Sequence, residues 1–274
     1  MKIVKTKEEL KSNIDRSKTI ALVMTMGALH DGHMHLVKAA KEKAEQVIVS
    51  IYVNPLQFGK NEDYSKYPRT LDKDIQKCEE HGVDVVFAPS DEQMYGDTRQ
   101  ISLKVGVLAE IFEGKTRPGH FDGVCQIVCK VFNLVRPDYA FFGQKDAQQL
   151  AVIKNMVQDL DMGIQICAVP IVREPSGLAM SSRNTFLSND GKRTASQIYK
   201  VLNFARNNVI CGMPPEEASE FYYNKLNSIE GIEVDYFEIV DPYTFSVPNP
   251  SKQMLIICAV KVEGVRLLDN LLIG

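Results

Sequence analysis

Thr19-Ile20-Ala21-Leu22-Val23-Met24, then Met26-Gly27-Ala28-Leu29-His30-Asp31-Gly32-His33, is the stretch on which the fold turns. The first run is uncharged and of strand length, and Leu36, Val37, Ala40 and Ala44 recur at helical spacing beyond it, so a buried strand hands over to an amphipathic helix. At such a junction the first helical N–H groups lack partners and the helix dipole is positive, which lets backbone hold an anion. Gly27 and Gly32 allow close approach. His30 and His33, three apart, are expected to place both rings on one side of a helical turn, while His35 falls away from both.

Three readings of this spacing stand. The histidines can be satisfied locally at a helix start, or they can ligate a metal, although only Asp31 among Cys, Asp and Glu lies close in sequence to complete a shell. The third reading is a phosphate site, favoured by the preceding strand and the two glycines. His30-Asp31-Gly32-His33 resembles the HxGH signature of the nucleotidyltransferases and class I aminoacyl-tRNA synthetases, in which both histidines act on a nucleotide's phosphates.

Outward from that stretch, apolar runs alternate with helical patterns. A short helix is expected over 7–16, and Val47-Ile48-Val49-Ser50-Ile51-Tyr52-Val53 reads as a second strand, β-branched and buried on both faces. The polar loop Asn54-Pro55-Leu56-Gln57-Phe58-Gly59-Lys60-Asn61-Glu62-Asp63 leads to Tyr67-Pro68-Arg69-Thr70, where Thr70 is expected to cap a helix through residue 80. Val83-Asp84-Val85-Val86-Phe87 reads as a third strand. From 89 to 119 the periodicity weakens, and a strand at 101–105 and a short helix at 108–112 are expected. Val124, Ile127, Val128, Val131 and Val135 mark a helix that stops before Pro137. Tyr139-Ala140-Phe141-Phe142 is a strand that opens into Gly143-Gln144-Lys145-Asp146 and a helix, and a strand at 164–169 follows. Such alternation means a parallel sheet covered on both faces, with ligands at the carboxyl ends of its strands. The loops after Met24, Val53 and Phe142 leave from such ends and are expected to meet over one crevice.

Val172-Arg173-Glu174-Pro175-Ser176-Gly177-Leu178-Ala179-Met180-Ser181-Ser182-Arg183-Asn184 is polar and suits a hinge or lid. Helices are then expected at 190–208 and 215–228 and strands at 232–240, 253–262 and 265–268, the order of a smaller α+β domain with an antiparallel sheet. The division is placed at 172, giving domains 1–172 and 173–274.

With 274 residues the chain can make one large domain or two unequal ones. A hydrophobic content of 45% and a charged content of 24% are those of an ordinary globular protein. The net charge of −3 gives no basic field, which counts against a nucleic-acid partner. No stretch reaches membrane-spanning length, and the six cysteines include no Cys-x-x-Cys pair. Cys125 and Cys129 read as small buried hydrophobes, and reduced thiols suit a cytoplasmic protein.

Met26 to His33, Asn54-Pro55-Leu56-Gln57-Phe58, Tyr67-Pro68-Arg69-Thr70, Arg117-Pro118-Gly119-His120-Phe121-Asp122-Gly123, Phe142-Gly143-Gln144-Lys145-Asp146-Ala147-Gln148-Gln149-Leu150 and Arg173 to Asn184 stand in one order. That series resembles the pantoate–β-alanine ligase (pantothenate synthetase) family. The resemblance implies an α/β fold: a Rossmann-like parallel sheet nucleotidyltransferase domain at 1–172 that binds ATP and pantoate, and a smaller C-terminal α+β lid domain at 173–274. It implies two steps, in which pantoate attacks ATP to give pantoyl adenylate and pyrophosphate and β-alanine then displaces AMP. It also implies a homodimer, with pantoate and β-alanine as small-molecule partners and Mg²⁺ bound with ATP.

By the family's pattern Met26, Gly27, Ala28, Leu29, His30, Asp31, Gly32, His33, Gly143, Gln144, Lys145, Asp146, Val172, Met180, Ser181, Ser182 and Arg183 contact ATP, with His33 the catalytic proton donor. Gln57 and Gln149 match its pantoate contacts, Gln57 also reaching the β-alanine side, and Arg117 and His120 fall near pantoate. Asp72 and Asp74 are read as helix surface rather than as Mg²⁺ ligands. Gln144 stands where the family has Glu, Ala147 where it has an aromatic and His35 where it has a small polar residue.

Overall fold

The computed structural model describes residues 1–59 and 64–274; residues 60–63 of the polar loop lie outside the described residues. The chain divides into two compact units, Met1–Gly143 with Val152–Val169 and Gln144–Ala151 with Pro170–Gly274.

In the first unit the uncharged runs become strands and the periodic runs become helices. The order is β1 (Lys2–Val4), α1 (Lys7–Ser12), β2 (Ile20–Thr25), α2 (Asp31–Lys43), β3 (Gln46–Ile51), α3 (Leu71–Glu80), β4 (Val85–Phe87), α4 (Asp91–Tyr95), α5 (Phe112–Thr116), α6 (His120–Val135), β5 (Tyr139–Gly143), α7 (Ala147–Asp159, of which residues 147–151 belong to the second unit) and β6 (Gln165–Val169). All pairings in its six-stranded sheet are parallel, in the order β1-β4-β3-β2-β5-β6. Ala21, Val23, Val47 and Val49 pack one sheet face against Val37 and Ala40 of α2 and Cys78 of α3. Leu22 and Ile48, which alternate with them, are equally buried, so the opposite face is covered as well. Each such aliphatic side chain contributes about 1.5–3 kcal/mol on burial. Strand order runs one way from β2 to β3 and the other way from β2 to β5, and a ligand crevice opens at such a reversal, beyond the carboxyl end of β2.

The second unit carries α8 (Asn189–Ala195), α9 (Gln197–Ile210), α10 (Pro215–Asn227), β7 (Glu233–Val240), β8 (Met254–Val262) and β9 (Val265–Ile273). The three strands form an antiparallel sheet in chain order. Leu202, Ala205, Tyr222, Leu226, Phe237, Ile256 and Val260 lie in one core between this sheet and its helices.

Several expectations are corrected. No strand forms at 101–105: the Leu103 N–H donates to Gln126 Oε1 and the Val105 N–H to Asp122 Oδ1, so side chains of α6 take the place of a neighbouring strand. The helix expected at 108–112 is a 3₁₀ turn over Val107–Ala109 followed by α5. The helix expected over 190–208 breaks at Ser196 into α8 and α9. The strand expected to end at 268 runs on to Ile273, and β1 and α4 were not foreseen. No helix is long and apolar enough to cross a membrane among the described residues.

Candidate active site

The first unit carries the paired histidines on the β2–α2 turn. His30 is the N-cap of α2: its Nδ1 accepts from the Gly32 N–H at 3.1 Å, and the His33 Nδ1 accepts from the His30 N–H at 3.3 Å. The two rings stand 4.1 Å apart between centroids, and an Nδ1 that accepts a backbone N–H leaves the imidazole proton on Nε2. His35 turns away, its Nδ1 2.8 Å from the Asp31 carbonyl.

The backbone amides expected to hold an anion are largely occupied by the chain itself. Ala28 and Leu29 donate to the two oxygens of Asp74 at 3.0 and 2.8 Å, and Gly32 donates to His30. Asp74, read from sequence as helix surface, is 2% exposed and also accepts the Thr70 hydroxyl at 3.2 Å. Thr70, expected as a cap, makes no side-chain cap bond for that reason. Asp72 does stand on the exposed surface of α3. Lys77 Nζ binds the Leu29 carbonyl, so α3 grips the turn from both polarities. Gly27 has φ +81°, and a Cβ there would stand 3.1 Å from Asp74 Oδ2 and 3.3 Å from Ile51 Cγ2, so glycine is required. The sequence carried a signal for Asp74: Leu71, Asp74, Ile75 and Cys78 form an i, i+3, i+4, i+7 stripe.

Gln57 is brought to the same turn. Its Nε2 lies 2.7 Å from Met26 Sδ and its Oε1 accepts from Asn54 Nδ2 at 3.2 Å. Asn54, which sequence reasoning did not single out, is 1% exposed and ties this loop to α6 through the Gly123 carbonyl at 3.0 Å. Tyr95 donates its hydroxyl to Asn54 Oδ1 at 2.8 Å, and burial raises that phenol, keeping it a donor. His120 Nδ1 meets the Gln57 carbonyl at 2.8 Å, and Arg117 reaches both His120 and that carbonyl. Their expected place beside pantoate thus coincides with a backbone brace for Gln57. Gly123 lets α6 approach so closely that an added Cβ would sit 2.1 Å from the Leu56 carbonyl oxygen.

The second unit holds the other candidate residues. Lys145, Ser181, Arg183, Asn184, Arg266 and Asp269 line one cleft. Lys145 Nζ lies 3.4 Å from Asp146 Oδ1. Ser181 caps the 3₁₀ turn over Ser182–Phe186, accepting from the Arg183 N–H at 3.3 Å, and the Met180 N–H donates to the Val172 carbonyl at 2.9 Å. Asn184 Nδ2 holds Glu174 Oε1 and the Ala179 carbonyl, which folds the 173–184 segment onto itself. Gln149 is half-buried in the first turn of α7, and Ala147 is buried beside it. Asp269 is deeply buried, which raises its carboxyl, while the Arg173 fork at 2.6 and 2.7 Å opposes that rise.

Cys78, Cys125 and Cys258 are buried packing residues, and burial pushes the Cys78 and Cys125 thiols up to about 12, whereas Cys129, expected to be buried, is only half-buried. No group of three or more His, Cys, Asp or Glu able to hold a metal ion is present among the described residues.

The family model for pantoate-beta-alanine ligase matches residues 2–272. The pantothenate synthetase of Caldicellulosiruptor saccharolyticus is 45% identical, with 99% of this chain and 98% of that protein covered. That of Thermotoga petrophila is 42% identical with both chains wholly covered. Among solved structures, the pantothenate synthetase of Thermus thermophilus superposes with a TM-score of 0.94 at 40% identity, covering 99% of each chain. The pantoate-beta-alanine ligase of Francisella tularensis, complexed with beta-gamma ATP and beta-alanine, gives a TM-score of 0.83 at 36% identity over 99% of this chain and 97% of that one. A match of this extent in sequence and in structure means that the chain belongs to the pantoate–β-alanine ligase family.

Proposed function

We propose that this ligase joins pantoate to β-alanine through a pantoyl adenylate, with ATP consumed to AMP and pyrophosphate, and that the residues singled out by sequence carry the steps. In the first step a pantoate carboxylate oxygen bonds to the α-phosphorus as the bond to pyrophosphate breaks. Negative charge gathers on the α-phosphate and the departing group, where fixed donors and cations lower the barrier most. His30 and His33 supply Nε2–H donors, with His33 the proton donor, and Lys145 and Arg183 supply charge. Ser181 and Ser182 supply hydroxyls, and Met26 to Asp31, Gly32, Gly143, Gln144, Asp146, Val172 and Met180 complete the ATP contacts. Mg²⁺ enters on the ATP phosphates, hard oxygen ligands that suit it.

Gln57 and Gln149 hold pantoate. Amides suit a carboxylate that must attack: they orient the nucleophile by hydrogen bonds without the opposing charge of an arginine clamp, which would stabilise the ground state more. In the second step the β-alanine nitrogen bonds to the acyl carbon and AMP leaves with the electron pair. The reading extends to a homodimer in the cytoplasm.

The observation that carries the adenylate route is the imidazole pair, rings 4.1 Å apart, each tautomer fixed by a backbone N–H on Nδ1. Pyrophosphate release that requires ATP and pantoate alone, with AMP release requiring β-alanine as well, is the expected result. Turnover that forms no AMP rejects the adenylate.

A further inference from the structure

Strand β9 places two polar residues side by side in a run of leucines, Leu267-Leu268-Asp269-Asn270-Leu271-Leu272, and both are buried, at 5% and 3% exposure. Consecutive residues of a strand face opposite ways, so the two grip different segments. Asp269 receives the Arg173 guanidinium as a fork. Arg173 also donates to the Gly177 carbonyl at 3.1 Å and lies over the Tyr199 ring at 3.7 Å. The turn it anchors, closed by the Glu174 N–H on the Leu178 carbonyl at 2.8 Å, leads directly into Met180 and the Ser181–Arg183 turn.

Asn270 holds the other segment. Its Nδ2 donates to the carbonyls of Gln144 and Lys145 at 2.9 and 3.0 Å. Only the NH₂ end of an amide can satisfy two carbonyls, which fixes the orientation of the side chain by its chemistry. The price is an Oδ1 left buried without a hydrogen-bond partner among the described residues. A buried acceptor stranded in this way costs stability, so stability alone does not account for an asparagine here. Two donors on consecutive carbonyls instead fix the direction in which the Lys145 side chain leaves the backbone. Lys145, Ser181, Arg183 and Asp269 all line one cleft.

We propose that Asn270 is a positioning residue for ATP use: it holds the 144–145 backbone so that Lys145 Nζ is set against the Ser181–Arg183 turn that the neighbouring Asp269 anchors through Arg173. The proposal rests on the reading of Lys145 as an ATP ligand, given above.

The test compares Asn270→Leu, Asn270→Ser, Lys145→Ala and the double variants in pantoate-dependent pyrophosphate release, with thermal melting alongside. Asn270→Leu is expected to lower kcat/KM for ATP by about tenfold or more, with KM for pantoate held within about twofold; Asn270→Ser, which keeps one donor, falls between it and the parent. Because Asn270 acts through Lys145, either double variant is expected within about twofold of Lys145→Ala alone. Losses that multiply in the double variant, equal losses for both substrates, or an Asn270→Leu enzyme with parental ATP kinetics each overturn the proposal. If Asn270→Leu fails to fold, Asn270→Ser and its double carry the same comparison. A Lys145→Ala enzyme with unchanged ATP use removes the ligand reading and the proposal together, whereas a damaged Lys145→Ala beside an unaffected Asn270→Leu removes the proposal alone.

Discussion

Replacing Asp74 by Asn tests whether α3 holds the turn that carries the imidazoles. The buried carboxylate takes the Ala28 N–H at 3.0 Å on one oxygen and the Leu29 N–H at 2.8 Å on the other. Asparagine keeps one acceptor and points an NH₂ group at the other backbone N–H. One charge-assisted hydrogen bond is lost, about 1.5–3 kcal/mol, and a buried donor is stranded, about 1–3 kcal/mol, so the folded state loses about 3–5 kcal/mol. In a chain of this size each kcal/mol lowers the melting midpoint by about 2–4 °C, which gives a fall of about 10 °C. The catalytic consequence follows from Ala28, whose φ of +51° is a left-handed conformation that a residue with a Cβ adopts only when held there. Released, the turn relaxes and carries His30 with it; a displacement of about 1 Å costs about a hundredfold in rate. Pantoate-dependent pyrophosphate release and calorimetry on the same preparation measure both effects. A variant that melts within a degree of the parent, or that keeps a third of its kcat/KM, would falsify the clamp.

His33→Ala is expected to slow single-turnover adenylate formation by about 10²–10⁴-fold while the lost bond to the His30 N–H costs about 1 kcal/mol, so an unchanged single-turnover rate excludes it as proton donor. Gly123→Ala forces a Cβ against the Leu56 carbonyl, and denaturant unfolding should show a loss of about 1–3 kcal/mol or more, with pantoate use damaged ahead of ATP binding because Gln57 shares that loop; a neutral result contradicts the close approach. Glu263 accepts the Ser188 N–H and hydroxyl at the start of α8, and those bonds lower its carboxyl below the ordinary 4.5. A depressed carboxyl stabilises the fold above its unfolded value and loses that effect as pH falls through the folded value. Glu263→Gln should therefore melt below the parent at pH 7, with the gap closing below pH 4, and a gap independent of pH refutes the assignment.

What the sequence made legible follows from period and burial. β2, β3 and β5 are uncharged runs covered on both faces, and α2 and α6 show their apolar stripes, so the parallel sheet and the crevice side are readable without coordinates. The segment 101–105 has strand composition but pairs with side chains of α6, a partner no local pattern names. β1 has three residues and leaves Ile3 half exposed, too short and too open to announce itself. Asp74 and Asn270 were missed for a different reason. Each stands on an apolar stripe, and a polar residue there looks like an interruption until its partners, backbone groups 45 and 125 residues away, are in place.

The His-x-x-His pair shows why the plain and the functional readings of one motif need not compete. Both imidazoles are satisfied locally, as a helix-start pair would be, each Nδ1 accepting a backbone N–H within the turn. That local use decides the chemistry at the far side of the ring. An Nδ1 engaged as acceptor cannot carry the proton in the neutral imidazole, so the proton sits on Nε2, where it can be donated to a phosphate oxygen. The same constraint weakens the metal reading, since a neutral imidazole binds a cation through an unprotonated nitrogen and here that nitrogen is taken up by the backbone. Under the proposed function, the local cap favours phosphate over metal. Asp74, by occupying the amides of Ala28 and Leu29, takes two of the turn's backbone donors out of that role.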